Sequence, residues 1–491
     1  MEASRMVSST NTNPELRDGT LTHEAYLSSS IVVGLTALAE ALTAIGLGLL
    51  IHALYVVDEP EKVTQYYAAM GIFALLMLQA FHTLGLYRFG RILTPYQQIA
   101  KIVGVCLLLF LLMTTGAFAL KISEDYSRVW AFAWLGSAMV GLIAVRFAAA
   151  AAVRELAAAR KLGRNIVIYG GSDQGRRLIQ HIEGLHEPWN RIVAVFDDRA
   201  ERTGPFVRGH RILGGVDAMV NWCRVHRVDE VLIALPAVAQ DRVLMLVRSL
   251  GALPINMRLS PEFSSYDLLL RRTTNQYNVP MLSLLEKPVT GWGAISKRIL
   301  DLTVASAVAT VGAPFLALVA AWIKLDSPGP VFFRQPRYGF NHQVIDVLKF
   351  RTMYVDQTDT NADTLTRKDD PRVTRVGAFL RRFSIDEVPQ IFNVLSGSMS
   401  IVGPRPHAMH AKAGNVLYED VIDQYAVRHK VKPGITGWAQ VNGWRGETRD
   451  EAALLGRLEH DLYYIDNWSL PFDVSIMFRT VFAVMRGENS Y

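Results

Sequence analysis

The residues best able to do chemistry lie late in the chain, between Arg381 and Gly443. Arg381 and Arg382 precede the acidic pair Asp386-Glu387, Gly403-Pro-Arg-Pro406 follows, and Lys432-Pro-Gly-Ile-Thr-Gly-Trp-Ala-Gln-Val-Asn442 closes the stretch. A carboxylate can attack phosphorus or hold a metal, and arginines neutralise phosphate oxygens as charge builds. Adjacent acids alone are mostly solvated surface. The surrounding blocks turn the reading towards phosphate chemistry. Arg405 sits between two prolines, which restrict its backbone and favour a rigid two-toothed phosphate clamp, although the motif alone is a turn. Upstream, Arg334, Arg337, Lys349 and Arg351 stand close enough in sequence to meet phosphates or anionic lipid heads; an ordinary basic face would account for at least two of them.

These residues need a platform, and composition says where it lies. Half of the 491 residues are hydrophobic, and the net charge is +6. That balance suits a membrane protein with basic cytoplasmic loops or a phosphate-rich partner. No basic stripe interleaved with aromatics and no nucleic-acid module is present, so nucleic acid is not an expected partner. Two cysteines, Cys106 and Cys223, give neither a disulfide framework nor a metal spacing, which fits cytosolic soluble parts. Residues 1–25 are polar and lack the apolar core of a signal peptide. Four apolar runs, 31–57, 68–87, 99–120 and 129–152, are each long enough to cross a bilayer. Acidic Asp58, Glu59, Glu61, Glu124 and Asp125 fall in alternate loops from basic Arg88, Arg91, Lys101, Arg154, Arg160, Lys161 and Arg164, which puts both ends of the bundle in the cytoplasm. Glu40 and Arg146 lie within the runs, either as a functional pair or as helix-packing groups.

A doubly wound α/β domain is expected over 160–290. The strand at 165–169 runs into Gly170-Gly-Ser-Asp-Gln-Gly175 and a helical pattern; strands at 191–196 and 230–235 continue the alternation. The glycine motif is degraded, with Ser172 where a second glycine would admit a pyrophosphate, and Asp197-Asp198 stand where a ribose-binding acid would sit. A regulatory or purely structural domain remains as good a reading as a nucleotide site.

A further apolar run, 302–323, follows Lys297 and Arg298 and ends at Lys324. Its length would span a bilayer, but Pro314 at its middle and basic groups at both ends predict a helix–break–helix that re-enters on one side.

From Lys297 onward, over roughly residues 297–488, six ordered blocks resemble the bacterial sugar transferases, which move a phosphosugar from a nucleotide diphosphate sugar onto polyprenyl phosphate. The blocks are the Lys297-Arg298 run, Phe333-Arg-Gln-Pro-Arg337, Lys349-Phe-Arg-Thr-Met353, the Asp386-Glu387 stretch, Gly403-Pro-Arg-Pro406 with Lys432–Asn442, and Glu459-His-Asp-Leu-Tyr-Tyr464. The resemblance implies a membrane helix bundle, a cytosolic Rossmann-like domain and, over 291–491, a monotopic α/β transferase domain, in a bacterial inner membrane. It implies that Asp386 attacks the sugar-bearing phosphorus of a UDP-sugar, UMP leaves, and undecaprenyl phosphate takes the phosphosugar, as the first step of exopolysaccharide, capsule or O-antigen synthesis. Glu387 would hold Mg²⁺ or position the acceptor, with Asp386 and Asp461 as further metal carboxylates. Arg382, Arg405, Lys349, Arg351, Arg337, Thr436 and Gln440 would bind phosphates or substrate. Glucose or galactose fits equally, and a homodimer is left open. A membrane scaffold and a membrane-bound nucleotide-sugar dehydratase are the rivals; the second lacks a Tyr-x-x-x-Lys.

Overall fold

The computed structural model describes residues 28–56, 63–159, 161–185, 187, 189–199, 204–236, 239–260, 273–276, 279–355, 370–407, 412–413, 416–417, 425–444 and 451–486. The polar tail, Asp58, Glu59, Glu61 and Arg160 lie outside the described residues. The chain folds as two compact units, His23–Arg164 with Glu187–Arg191, and a larger one built on Asn165–His186 and Ile192–Tyr491.

The smaller unit is a helix bundle. Each apolar run forms a helix: α1 (Ser29–Tyr55), α2 (Val63–Thr83), α3 (Ile99–Ala119) and α4 (Arg128–Ala158). All are long and apolar enough to cross a membrane. α2 stops short of the expected Tyr87 because Gly85 takes φ +64° and Leu86 N–H turns back to the Phe81 carbonyl at 2.9 Å, a glycine-led helix stop. The core holds Tyr66, Met70, Phe73, Trp130 and Trp134; both indoles donate to α1 carbonyls, Trp130 to Gly48 at 3.1 Å and Trp134 to Ala44 at 2.8 Å. Glu40 and Arg146 are fully buried and paired at 2.5 Å. Tyr87 donates to the same carboxylate at 2.7 Å, and Arg146 reaches the Leu86 carbonyl at 3.0 Å. Of the two readings of this pair, the structure supports packing: it stitches α1, α4 and the connection after α2 together.

In the larger unit, an α/β portion contains β1 (Arg164–Tyr169), α5 (Asp173–Gly184), β2 (Asn190–Phe196), the short β3 (Phe206–Val207) and β4 (His210–Arg211), α6 (Val216–Val225), β5 (Glu230–Ile233), α7 (Gln240–Leu250), β6 (Asn256–Leu259), β7 (Thr273–Gln276) and β8 (Val279–Leu285). The sheet order is β2-β1-β5-β6-β8-β7, with β1, β5 and β6 parallel and β8 antiparallel to both β6 and β7. The doubly wound part matches the expected rhythm; the antiparallel edge has no counterpart in it.

The portion that carries the dyad begins with α8 (Gly291–Asp326), continues through β9 (Phe332–Tyr338), β10 (Val344–Phe350), α9 (Arg375–Arg382), α10 (Gln390–Ser396), β11 (Ser400–Val402) and β12 (Gly434–Thr436), and ends with α11 (Glu451–Asp466) and α12 (Leu470–Arg486). One expectation is corrected here: α8 runs as a single 36-residue helix through Pro314, with no break. A proline costs one internal hydrogen bond. On either side of it Lys297, Asp301 and Ala305, then Val319 and Ile323, bury one face of the helix in two clusters of the same domain, and this holds the helix together.

Candidate active site

The β9–β10 hairpin lays out the cations. Its register sets Arg337 opposite Ile345 and Phe333 opposite Lys349, so Arg337 and Lys349 share one face, while Arg334 alternates to the other and is exposed. Asp386 and Glu387 sit in a single 3₁₀ turn, Ile385–Glu387, launched by Ser384 at φ +54°. A non-glycine residue in the left-handed region costs energy and is found where the chain must aim something. Here it aims two adjacent acids differently.

Glu387 is saturated. Lys349 donates to it at 2.8 Å and Arg405 at 2.8 Å, with a second Arg405 bond to the other oxygen. Asp386, half-buried, makes no hydrogen bond or ion pair among the described residues. Burial raises its pKa against the pull of Lys349, and the charge of Glu387 raises it further. Burial alone would also raise Glu387, but Arg405 and Lys349 hold it well below the usual carboxylate range. One acid is a fixed anion; its neighbour keeps free lone pairs.

Behind Arg405 stands a layer of which sequence reading missed Arg428 and Arg457. Arg428 donates to the Arg405 carbonyl at 2.8 Å and to Asp461 at 2.6 Å. Arg457, one helical turn before Asp461, is buried beside them, and Arg337 donates to the Pro406 carbonyl at 2.5 Å. Burial, then the charge of Arg405, brings Arg337 down to about 10; burial, then Arg428, does the same to Arg457. His407 is pushed well below its ordinary value by burial and by Arg428, and stays neutral. Five cations, Arg337, Lys349, Arg405, Arg428 and Arg457, thus face three carboxylates, Asp386, Glu387 and Asp461, in a desolvated region. Such an excess suits an anion with more than one negative charge. The i, i+4 spacing of Arg457 and Asp461 was a readable signal; the Arg428–Asp461 pair, formed across 33 positions, was not.

Other expected site residues are placed elsewhere. Arg351 is buried and donates to the Ser327 and Pro328 carbonyls at 2.7 and 2.5 Å, closing the end of α8. Arg382 lies over the ring of Phe383, and of this adjacent pair it is Arg381 whose charge acts on Asp386, together with Arg405. Thr436 is buried and bonded to Thr480 at 2.7 Å. Gln440 donates to the Ile435 carbonyl at 3.4 Å. Trp438 lies among Phe472, Tyr463 and Arg479. Asp461, expected as a metal carboxylate, is corrected: Arg428 holds it, and among the described residues no group of three His, Cys, Asp or Glu could hold a metal. Lys297 and Arg298, the membrane-proximal basic flank of the apolar run, are inward tethers: Lys297 bonds Asp473 at 2.7 Å and the Val402 carbonyl at 3.0 Å, and Arg298 bonds the carbonyls of Val394 and Leu395.

The loop bearing Arg405 is held by close backbone approach. Gly403 N–H donates to the Thr436 carbonyl and Gly434 N–H to the Pro404 carbonyl, each at 2.9 Å. A Cβ at Gly403 or Gly434 would strike the other's backbone.

Residues 292–487 match the model of the bacterial sugar transferases, and residues 82–261 that of a CoA-binding domain. The chain is 37% identical to the UDP-glucose:undecaprenyl-phosphate glucose-1-phosphate transferase of Escherichia coli over 74% of its own length and 76% of that protein. To the Xanthomonas campestris protein of the same description it is 34% identical, over 87% and 88%. The chain belongs to the bacterial sugar transferase family. A third relative, the undecaprenyl-phosphate glucose phosphotransferase of Komagataeibacter xylinus, is 38% identical over 68% of this transferase, which spans 61% of that relative.

Proposed function

We propose that the protein transfers glucose-1-phosphate from UDP-glucose to undecaprenyl phosphate and releases UMP. The observation that carries this reading is the split dyad: a carboxylate with free lone pairs beside one locked by Lys349 and Arg405, within an excess of buried cations. The relatives' descriptions supply glucose and the lipid. An Asp386 oxygen attacks the sugar-bearing phosphorus, the bond to the bridging oxygen breaks, and UMP leaves with that oxygen. An oxygen of the lipid phosphate then attacks the acyl-phosphate, frees Asp386 and yields the lipid diphosphate sugar. Lys349, Arg405 and Arg337 stabilise the charge on the transferring group, and the Arg428–Asp461 pair holds Arg405 in place.

The donor set fits Mg²⁺ only as an ion shared with substrate: Asp386, with unpaired oxygens, would hold it, and Glu387 would do so only where Lys349 and Arg405 yield its oxygens. When bound, the ion would neutralise charge between the carboxylate and the pyrophosphate.

Two observations support a one-sided attachment of the unbroken α8 to the inner membrane, with catalysis in the cytosol. Its first turns are tied by Lys297 and Asp301, and its end by Asp326 and Ser327, to one and the same domain. Val311 and Leu318, on its open face, are exposed, as are Phe478, Val481 and Phe482 of α12. The reading is tested with radiolabelled UDP-glucose and UDP-galactose and membranes containing undecaprenyl phosphate. UMP release with label in the lipid fraction from UDP-glucose is expected; label from neither sugar would overturn it.

A further inference from the structure

The match to a CoA-binding domain and the glycine-rich turn after β1 both invite a pyrophosphate-bearing cofactor in the α/β portion. The residues there do not fit one. A pyrophosphate needs a free backbone N–H at the glycine turn, room above it, and a helix N-terminus without its own negative charge.

At Gly171 the turn is already filled. The N–H of Gly171 already donates to Asp197 Oδ2 at 2.6 Å, and the other oxygen of Asp197 accepts from Arg199 N–H at 2.7 Å. Asp197 is itself only 7% exposed. The space above Gly171 is filled: a Cβ there would lie 3.0 Å from Ile212, 3.2 Å from Val207 and 3.3 Å from the Asp197 carboxylate. Val207 belongs to β3 and Ile212 directly follows β4; both are buried, so the β3–β4 hairpin roofs the turn. α5 opens with Asp173, whose exposed carboxylate stands at the anion-attracting end. Asp198, the other candidate for a ribose, is spent on the Tyr169 hydroxyl at 2.6 Å, Val216 N–H at 2.9 Å and Arg242 at 3.2 Å.

The glycines have another use. Gly170 takes φ +115° where a Cβ would strike the Ala234 carbonyl, and a Cβ at Gly175 would strike the Gly170 carbonyl, so helix and sheet close onto each other there. We infer that Asp197 is a built-in ligand of the glycine turn, standing where a cofactor phosphate would, and that this domain is closed to CoA and dinucleotides.

The test uses the full-length protein in lipid discs, with CoA and NADH as probes to millimolar concentration. Any binding found is expected to be displaced by UDP, and hydrogen exchange across residues 170–175 should not change with either probe. Asp197→Asn, which offers one acceptor where two N–H groups point, should lower Tm by several degrees. Saturable binding of CoA or NADH that UDP does not displace, with slowed exchange at 170–175, would overturn the inference. So would an Asp197→Asn protein as stable as the wild type. Should that variant fail to fold, the wild-type exchange measurement decides.

Discussion

At the residue scale, the two acids of the dyad should fail differently. Asp386→Asn replaces the proposed nucleophilic carboxylate by a neutral amide, so UMP release should drop by at least about 10³-fold. Because burial disfavours the Asp386 charge, the folded pKa is raised and the group costs stability at neutral pH; the asparagine protein should melt at the same temperature or higher. Glu387→Gln instead strips the counter-charge from Lys349 and Arg405, and should cost about 3 kcal/mol of stability as well as activity. Thermal melts beside UMP assays separate the two. The pH profile follows with a definite sign. Attack requires ionised Asp386, so the first half-reaction should slow on acidification at a pH above the ordinary aspartate value, while Glu387, held low, stays charged through that range and its stabilising contribution is lost only at lower pH. The sequence showed the dyad, Lys349 and Arg405 because they lie in short blocks of unusual composition. It could not say which of Arg381 and Arg382 acts on Asp386, since that depends on where α9 ends and Ser384 reverses the chain. Nor could it show that Thr436 and Arg351 are spent on Thr480 and on the end of α8.

At the scale of elements, α8 is the case to probe. Four long apolar helices were legible because about 20 apolar residues in a row have few alternatives. The break at Pro314 was overread, since a proline's local penalty is outweighed when buried residues on both sides of it dock on one domain. The structure also says where topology should be tested: Thr290 and Leu325 are exposed, whereas Ser327 is buried and a side chain at Gly293 would press on Trp468. In a background lacking Cys106 and Cys223, Thr290→Cys and Leu325→Cys should both resist an impermeant thiol reagent in intact cells and both react once the inner face is opened. Labelling of position 325 from outside would mean that α8 crosses.

At the scale of the molecule, every residue assigned to chemistry follows α8, and Val289 already packs on the core of that domain. A chain starting at Glu286 should therefore remain membrane-bound and release UMP within about tenfold of the full-length rate; loss of turnover in a folded preparation would mean that earlier segments complete the site. Block order alone leads to this expectation of modularity, whereas the self-filled α/β turn was not legible, because the Asp197–Gly171 contact forms only once the strands bring the two to one end of the sheet. Lys297 carries a practical corollary. Its ammonium grips the Val402 carbonyl, three residues before Arg405, so the base of α8 and the loop bearing Arg405 share one fastening. A solubilising agent that lets that helix base slip would silence turnover while leaving the chain folded, monodisperse and normal by circular dichroism. Specific activity in native lipid, rather than a symmetrical elution peak, is the proper yardstick of an intact preparation.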